Sequence, residues 1–326
     1  MSKTESLLWH GLAVSTRRTY QTAWRKFVDF AVQFRVSVQL PVSEVSLCCF
    51  VAFLSERWTY KSIKVVLAAI RSQHVDAGVA CDMEGMLRLK RVCDGVRRSK
   101  GEGLARTRLP VTVKLISKMV TVLNWRLYDD RLFMAIVCVG TYGLLRSGEM
   151  FPDASLGQVG LRWSDVVATK DRLSLRLATS KTDPWRKGAT VELFRNNTMT
   201  CPLKAWHNYA NHFATKPNPD ENLFLNQERK PVNKTWIVAY LREVITKLGL
   251  NPSHYSGHSF RKGGATSLAD AGVQDSVIKE MGRWKSGAYQ LYIGANPTNN
   301  FKASMRMAAI GSRAGLEGNS SLQRKQ

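Results

Sequence analysis

Four separated stretches carry side chains able to act together on a phosphate. In Leu144-Leu145-Arg146-Ser147-Gly148-Glu149 an apolar run ends in an Arg with a Glu three residues on. On a helix the two share a face, and a guanidinium held by a carboxylate presents its remaining donors to a phosphate. Taken alone, such a pair is more often a surface ion pair. Thr179-Ser180-Lys181-Thr182-Asp183 falls at the tip of an expected hairpin. A Lys there can reach a DNA groove and protonate a departing oxygen, or can simply be solvated. Gly257-His258-Ser259-Phe260-Arg261-Lys262-Gly263-Gly264 sets His258 and Arg261 three apart at a helix start, where the N-terminus favours anions. An imidazole and a guanidinium aimed at one phosphate form a transition-state clamp. His254, four residues earlier, raises a metal site, but the Glu of an HExxH motif is missing and Tyr255-Ser256-Gly257 is not helical in character, so no metal is expected. The fourth stretch, Met281 to Ile293, contains Trp284, Tyr289 and Tyr292, which otherwise read as an aromatic helix packed in a core.

Positioning these groups requires a mainly α fold with a small antiparallel β-sheet. From Tyr20, the residues Trp24, Phe27, Phe30, Ala31 and Phe34 recur at three- and four-residue steps, predicting a helix capped by Ser15 or Thr16. Further helices are expected from Ser43 through CCFVAFLSER, over YKSIKVVLAAIRSQH, and over DMEGMLRLKRVCDGVRR. In the third of these four, Lys61, Lys64 and Arg71 share a face opposite the apolar residues, suited to a phosphate backbone. The boundaries expected are a helical domain over 1–100, a basic linker over 101–110, a second domain over 111–312 and a polar tail over 313–326. Arg106 and Arg108 in the linker are candidates for following DNA phosphates. The second domain opens with an apolar helix expected to run from about Asp130 into Arg146. It continues with strands in DVVAT, LSLRLAT and ATVELF, and returns to helices near Pro202.

Charge narrows the function class. The chain has 326 residues, with 48 Lys and Arg against 25 Asp and Glu, a net charge of +23. That excess opposes compaction, and its spread along the whole chain points to a polyanion, with nucleic acid as the leading partner. No apolar run is long enough for a membrane span, and the first twenty residues lack a secretory core, so an intracellular protein is expected. The six cysteines show no zinc or disulfide spacing and are expected to be mostly buried thiols.

In order and spacing, LLRSGEM, SKT, HSFRKGGAT and GRW followed by YI resemble the tyrosine recombinase (phage integrase) family, whose pattern is Arg, Lys, His-x-x-Arg, His or Trp, then Tyr. The resemblance implies a helical core-binding domain followed by an α+β catalytic domain. It implies a site-specific DNA recombinase acting through a covalent 3′-phosphotyrosine, without metal or cofactor. Arg146 and Arg261 would bind the scissile phosphate, Lys181 would be the general acid, and His258 would assist proton movement. Glu149 would buttress Arg146 and His258, and Trp284 would donate its indole N–H to a phosphate oxygen. Tyr292 lies eight residues after Trp284 and is followed by Ile293, which suits the family's nucleophile; Tyr289 comes too early. Partners implied are double-stranded DNA and three further copies, a homotetramer passing through a Holliday junction, with residues 301–310 as a candidate docking helix. Location would be nuclear in a eukaryotic host and cytoplasmic otherwise. The competing readings are a type IB topoisomerase-like enzyme and a recombinase-derived DNA-binding protein that no longer cuts.

Overall fold

Aromatic and aliphatic residues recurring at helical spacing build the first of two units. The computed structural model describes residues 3–101, 108–178, 183, 187–293 and 305, and the chain divides into Met1–Thr107 and Arg108–Gln326. The first unit holds α1 (Lys3–His10), α2 (Val14–Phe34), α3 (Glu44–Ser55), α4 (Tyr60–Asp76) and α5 (Leu87–Lys100). Phe27, Phe30, Leu47, Phe50, Ile63, Val66, Ile70 and Leu89 meet in its core. Ser43 and Thr59 cap α3 and α4 by accepting from Ser46 N and Ser62 N. Glu44 reaches from α3 to accept from Arg88 N and Leu89 N, at 2.7 and 3.1 Å, supplying the start of α5 with the acceptor its own sequence lacks. His74, fully buried, donates from Nδ1 to Ile70 O and accepts the Val42 N–H at Nε2.

Two expectations for this unit are corrected. Ser15 and Thr16 do not cap α2, which begins at Val14 after Ala13. Arg17 lies over the Trp9 ring at 4.6 Å and donates to Trp9 O, tying the first turn of α2 to a preceding helix, α1, that was not expected. The last helix starts at Leu87, five residues after Asp82. Asp82 Oδ1 accepts from Gly85 N at 2.9 Å, a side-chain turn that competes with helix.

The second unit is organised around α7. It comprises α6 (Val113–Val120), α7 (Tyr128–Tyr142), α8 (Ser147–Met150), β1 (Val166–Ala168), β2 (Arg172–Leu177), β3 (Ala189–Phe194), α9 (Pro202–Ala210), α10 (Lys234–Lys247), α11 (His258–Asp270), α12 (Asp275–Met281) and α13 (Gln290–Ile293). Residues 132–141 of α7 are buried without interruption, so this helix is covered on all sides. The antiparallel sheet has the order β1-β2-β3, with Leu175 opposite Val191 and Leu173 opposite Leu193. Leu173, Leu175, Leu177, Val191 and Leu193 point inward at the period of two expected for a sheet with one covered face. Contrary to expectation, α7 does not run into Arg146. It stops at Tyr142, Leu145 N closes on Gly140 O, and Leu144 adopts the left-handed conformation at φ 47°. This turn buries both Leu144 and Leu145. Of the cysteines, Cys93, Cys138 and Cys201 are buried, Cys48 and Cys81 are half-buried and Cys49 is exposed, fewer burials than expected. Among the described residues no helix is long and apolar enough to cross a membrane.

Candidate active site

Arg146 immediately precedes α8, and Glu149 stands one turn on. Glu149 Oε2 accepts the Arg146 backbone N–H and its Oε1 accepts Arg146 Nη1, both at 2.8 Å. The same Oε2 accepts Arg283 Nη2 at 3.0 Å. The carboxylate side chain is only 2% exposed, so one buried anion holds two guanidinium groups. A third lies close by: Arg261, buried on α11, donates from Nη1 to Leu144 O and from Nη2 to Gly282 O. Its guanidinium also sits 4.1 Å from the centre of the Trp284 ring. Leu144 O is shared, since Arg283 Nη2 approaches it at 3.4 Å.

The electrostatics follow from this crowding. Burial first, then the neighbouring Arg146 and, more weakly, Arg283, pull the Arg261 proton affinity down to about 9. Glu149 and Tyr292 act in the opposite direction. Burial likewise lowers Arg283, against the pull of Glu149. At neutral pH these guanidinium groups keep their protons. Three cations around one carboxylate leave an excess of positive charge, and a phosphate entering beside them would relieve it.

Close backbone approach sets α11 in place. A Cβ on Gly263 would lie 1.8 Å from Val111 O, and one on Gly264 would lie 2.2 Å from Thr141 O. The glycine pair therefore lets α11 settle against the strap entering the unit and against the end of α7. That strap is also hydrogen-bonded along its length: Leu109 N to His254 O, Val111 N to Ser259 O, and Lys262 Nζ to Arg108 O. Gly257 also comes close to Ser147, where a Cβ would meet Oγ at 2.4 Å, bringing the start of α11 against α8. His258 opens α11 and is exposed, whereas Arg261, a turn later, is buried, so the two do not present alike to solvent.

Trp284 is buried, and its ring passes where a side chain on Gly282 would be, 1.6 Å from a Cβ placed there. It contacts both candidate nucleophiles, Tyr292 at 5.8 Å and Tyr289 at 6.2 Å between ring centres. Tyr289 closes a 3-10 turn (Gly287–Tyr289) and Tyr292 lies in α13, so the two tyrosines are on different turns rather than one helix. Thr266 Oγ1 on α11 donates to Tyr292 O at 3.0 Å. Tyr292 is also among the groups whose field reaches Arg261.

The structure thus brings Arg146, Glu149, Arg261, Trp284 and Tyr292 into one linked cluster, with His258 opening the helix that carries Arg261. Lys181 and Arg106 lie outside the described residues, as does the proposed docking helix apart from Met305. Arg108 donates to Ser253 O, so part of its guanidinium serves the strap. In the first unit, Lys61, Lys64 and Arg71 are exposed on α4, with Arg71 3.4 Å from Glu84. The sequence reading missed Arg283. Its signal was masked, because Trp284 beside it already satisfies the His-or-Trp position of the family pattern.

Comparison with known proteins places this geometry in a family. The chain is 22% identical over 283 residues to an integrase/recombinase xerD homolog of Selenomonas ruminantium, covering 84% of this chain and 79% of that protein. In fold it resembles the XerH site-specific recombinase in a post-cleavage complex with palindromic difH substrate, with a TM-score of 0.64 at 17% identity, covering 88% of this chain and 78% of that one. It also resembles the Tn1549 transposon integrase bound to transposon right-end DNA, with a TM-score of 0.61 at 14% identity and coverage of 89% and 93%. A lambda integrase dimer on a COC′ core site gives a TM-score of 0.58 at 13% identity, with coverage of 90% and 94%. Residues 138–297 match the model of the phage integrase family, so the chain carries a domain of that family, the tyrosine recombinases.

Proposed function

We propose that this protein is a site-specific DNA recombinase that cuts and rejoins strands through a 3′-phosphotyrosine on Tyr292. The observation that carries the reading is the cluster itself. Arg146 and Arg261 are fixed by Glu149 and by the Leu144 carbonyl, with an excess of positive charge, in the same assembly as Trp284 and Tyr292. The phage integrase domain supports the DNA substrate, as does the net charge of +23.

In the proposed reaction the Tyr292 phenolic oxygen attacks the phosphorus and the bond to the 5′-oxygen breaks. His258 receives or relays the phenolic proton, and Lys181 gives a proton to the departing 5′-oxygen, which leaves as a hydroxyl. Arg146 and Arg261 stabilise the charge that builds on the non-bridging oxygens. Attack by a second strand's 5′-hydroxyl reverses these steps, and the phosphodiester energy is conserved in the tyrosyl bond. Lys61, Lys64 and Arg71 would contact phosphates from the first unit, with Arg106 and Arg108 as further phosphate contacts. The family resemblance supports four protomers working on two sites.

A library of nicked duplexes with randomised sequence, in which cleavage releases a short fragment bearing the free 5′-hydroxyl and traps the adduct, tests this reading whatever the target sequence is. The wild type should become covalently linked to a recoverable subset. Tyr292→Phe should bind that subset without linkage, and Tyr289→Phe should still link. Linkage persisting in Tyr292→Phe and lost in Tyr289→Phe would move the nucleophile; no linkage from the wild type would refute the proposed chemistry.

A further inference from the structure

Arg283 has no role in the chemistry above, yet it is more fully engaged than either phosphate-binding candidate. Nη1 donates to Gly143 O at 3.3 Å and Met281 O at 3.2 Å, while Nη2 donates to Leu144 O at 3.4 Å and Glu149 Oε2 at 3.0 Å. Its side chain is 16% exposed. With two protein acceptors on each terminal nitrogen, against one on each for Arg261, it is poorly disposed to take a phosphate oxygen itself. What it joins is informative. Through Glu149 it reaches Arg146, and through Leu144 O it reaches Arg261. Leu144 at φ 47° and Arg283 at φ 55° are both left-handed non-glycine residues, an uncommon conformation that the surroundings must hold in place. Arg283 spans the two turns in which they stand.

We propose that Arg283 is a positioning residue for the strand-cleavage reaction, a clamp between the turn at Leu144 and the turn at Gly282 that sets Arg146 and Arg261 at the spacing one phosphate requires. This rests on the function proposed above. Arg146 depends on Glu149 for its orientation, and Glu149 Oε2 is shared with Arg283, so loss of the clamp removes one of the three hydrogen bonds that fix the carboxylate. Arg261 loses a neighbour at its carbonyl anchor. Neither phosphate-binding guanidinium is removed, so DNA should still bind, and the geometry needed for in-line attack should degrade. Misplacement by an ångström costs about 100-fold in rate.

The test compares wild type, Arg283→Ala, Arg283→Lys and Arg283→Gln on one nicked duplex recovered from the covalent library, measuring dissociation constant and single-turnover adduct rate separately. The expected result is a rate lower by about 100-fold in Arg283→Ala, an affinity within about threefold of wild type, and partial recovery with added methylguanidinium. Arg283→Lys, which keeps the charge without the fork, should recover little. Unchanged rates in all three variants, or rates and affinities falling together without methylguanidinium recovery, overturn the inference. A second measurement needs neither cleavage nor DNA. Arginine side-chain NMR of the free protein should show the Arg146 guanidinium rotating more slowly in wild type than in Arg283→Lys; equal rotation rates reject the clamp. Should the wild type form no adduct at all, the proposed chemistry falls while the NMR comparison still decides the role of Arg283. Should Arg283→Ala fail to fold, Arg283→Lys and Arg283→Gln provide both measurements.

Discussion

Replacing Glu149 by Gln tests the electrostatic frame of the site with little change of shape. In the native protein this carboxylate accepts the Arg146 N–H and Nη1 at 2.8 Å and Arg283 Nη2 at 3.0 Å, with 2% of its side chain exposed. An amide in the same place can offer an oxygen to one guanidinium, but its NH2 then faces another donor. The three arginines lose their only nearby anion among the described residues. Breaking a buried ion pair by removing one partner costs about 3–5 kcal/mol. In a unit of this size that lowers the melting temperature by roughly 10 °C. The uncompensated charge should also make the variant hungrier for anions. Sulfate at a hundredfold excess over its dissociation constant restores about 2.7 kcal/mol. Scanning calorimetry of wild type and Glu149→Gln over a sulfate series reads both effects. A Glu149→Gln melting temperature within a degree of wild type, or equal sulfate responses in the two proteins, would refute the view that this carboxylate holds the arginine cluster together.

Other consequences follow from packing and titration. Gly263→Ala puts a methyl group 1.8 Å from Val111 O, which backbone cannot yield without displacing the strap or α11; a loss of about 3 kcal/mol or more in urea unfolding is expected, and an unchanged midpoint would contradict it. In the first unit, His74→Leu leaves the buried Val42 N–H without its acceptor and should cost about 1–3 kcal/mol, read as an earlier urea transition. Burial raises the Tyr128 phenol from 10.0 to about 12. A group with a raised folded value contributes stability below pH 10 that is lost as pH climbs towards 12. The urea midpoint should therefore fall over that window, and less steeply in Tyr128→Phe; equal slopes would remove Tyr128 from the account.

Much of this was legible in the sequence because the signals were local. Aromatic periodicity marked α2, alternation marked β2 and β3, and the spacing of Arg146, His258, Arg261 and Tyr292 identified the family. The misplaced features depended on contacts distant in sequence or on turn chemistry. Arg146 looked like the end of an apolar helix because Gly143-Leu144-Leu145 continues the hydrophobic run. Only the burial of both leucines around a left-handed Leu144 shows that the chain turns there. The glycine pair at 263–264 could be noticed as a motif, but its reason, the approach of Val111 and Thr141, lies far along the chain. Arg283 was hidden by its neighbour Trp284, since an indole at that position already satisfies the family pattern and leaves the guanidinium one residue earlier without an obvious part.

A structure of the Tyr292→Phe variant on a nicked duplex recovered by covalent capture would address the convergence of these groups directly. The account predicts one backbone phosphate accepting from both Arg146 and Arg261, with the ring of residue 292 opposite the leaving 5′-oxygen. A phosphate contacted by neither arginine, or a Tyr289 ring in line with the phosphorus instead, would contradict it.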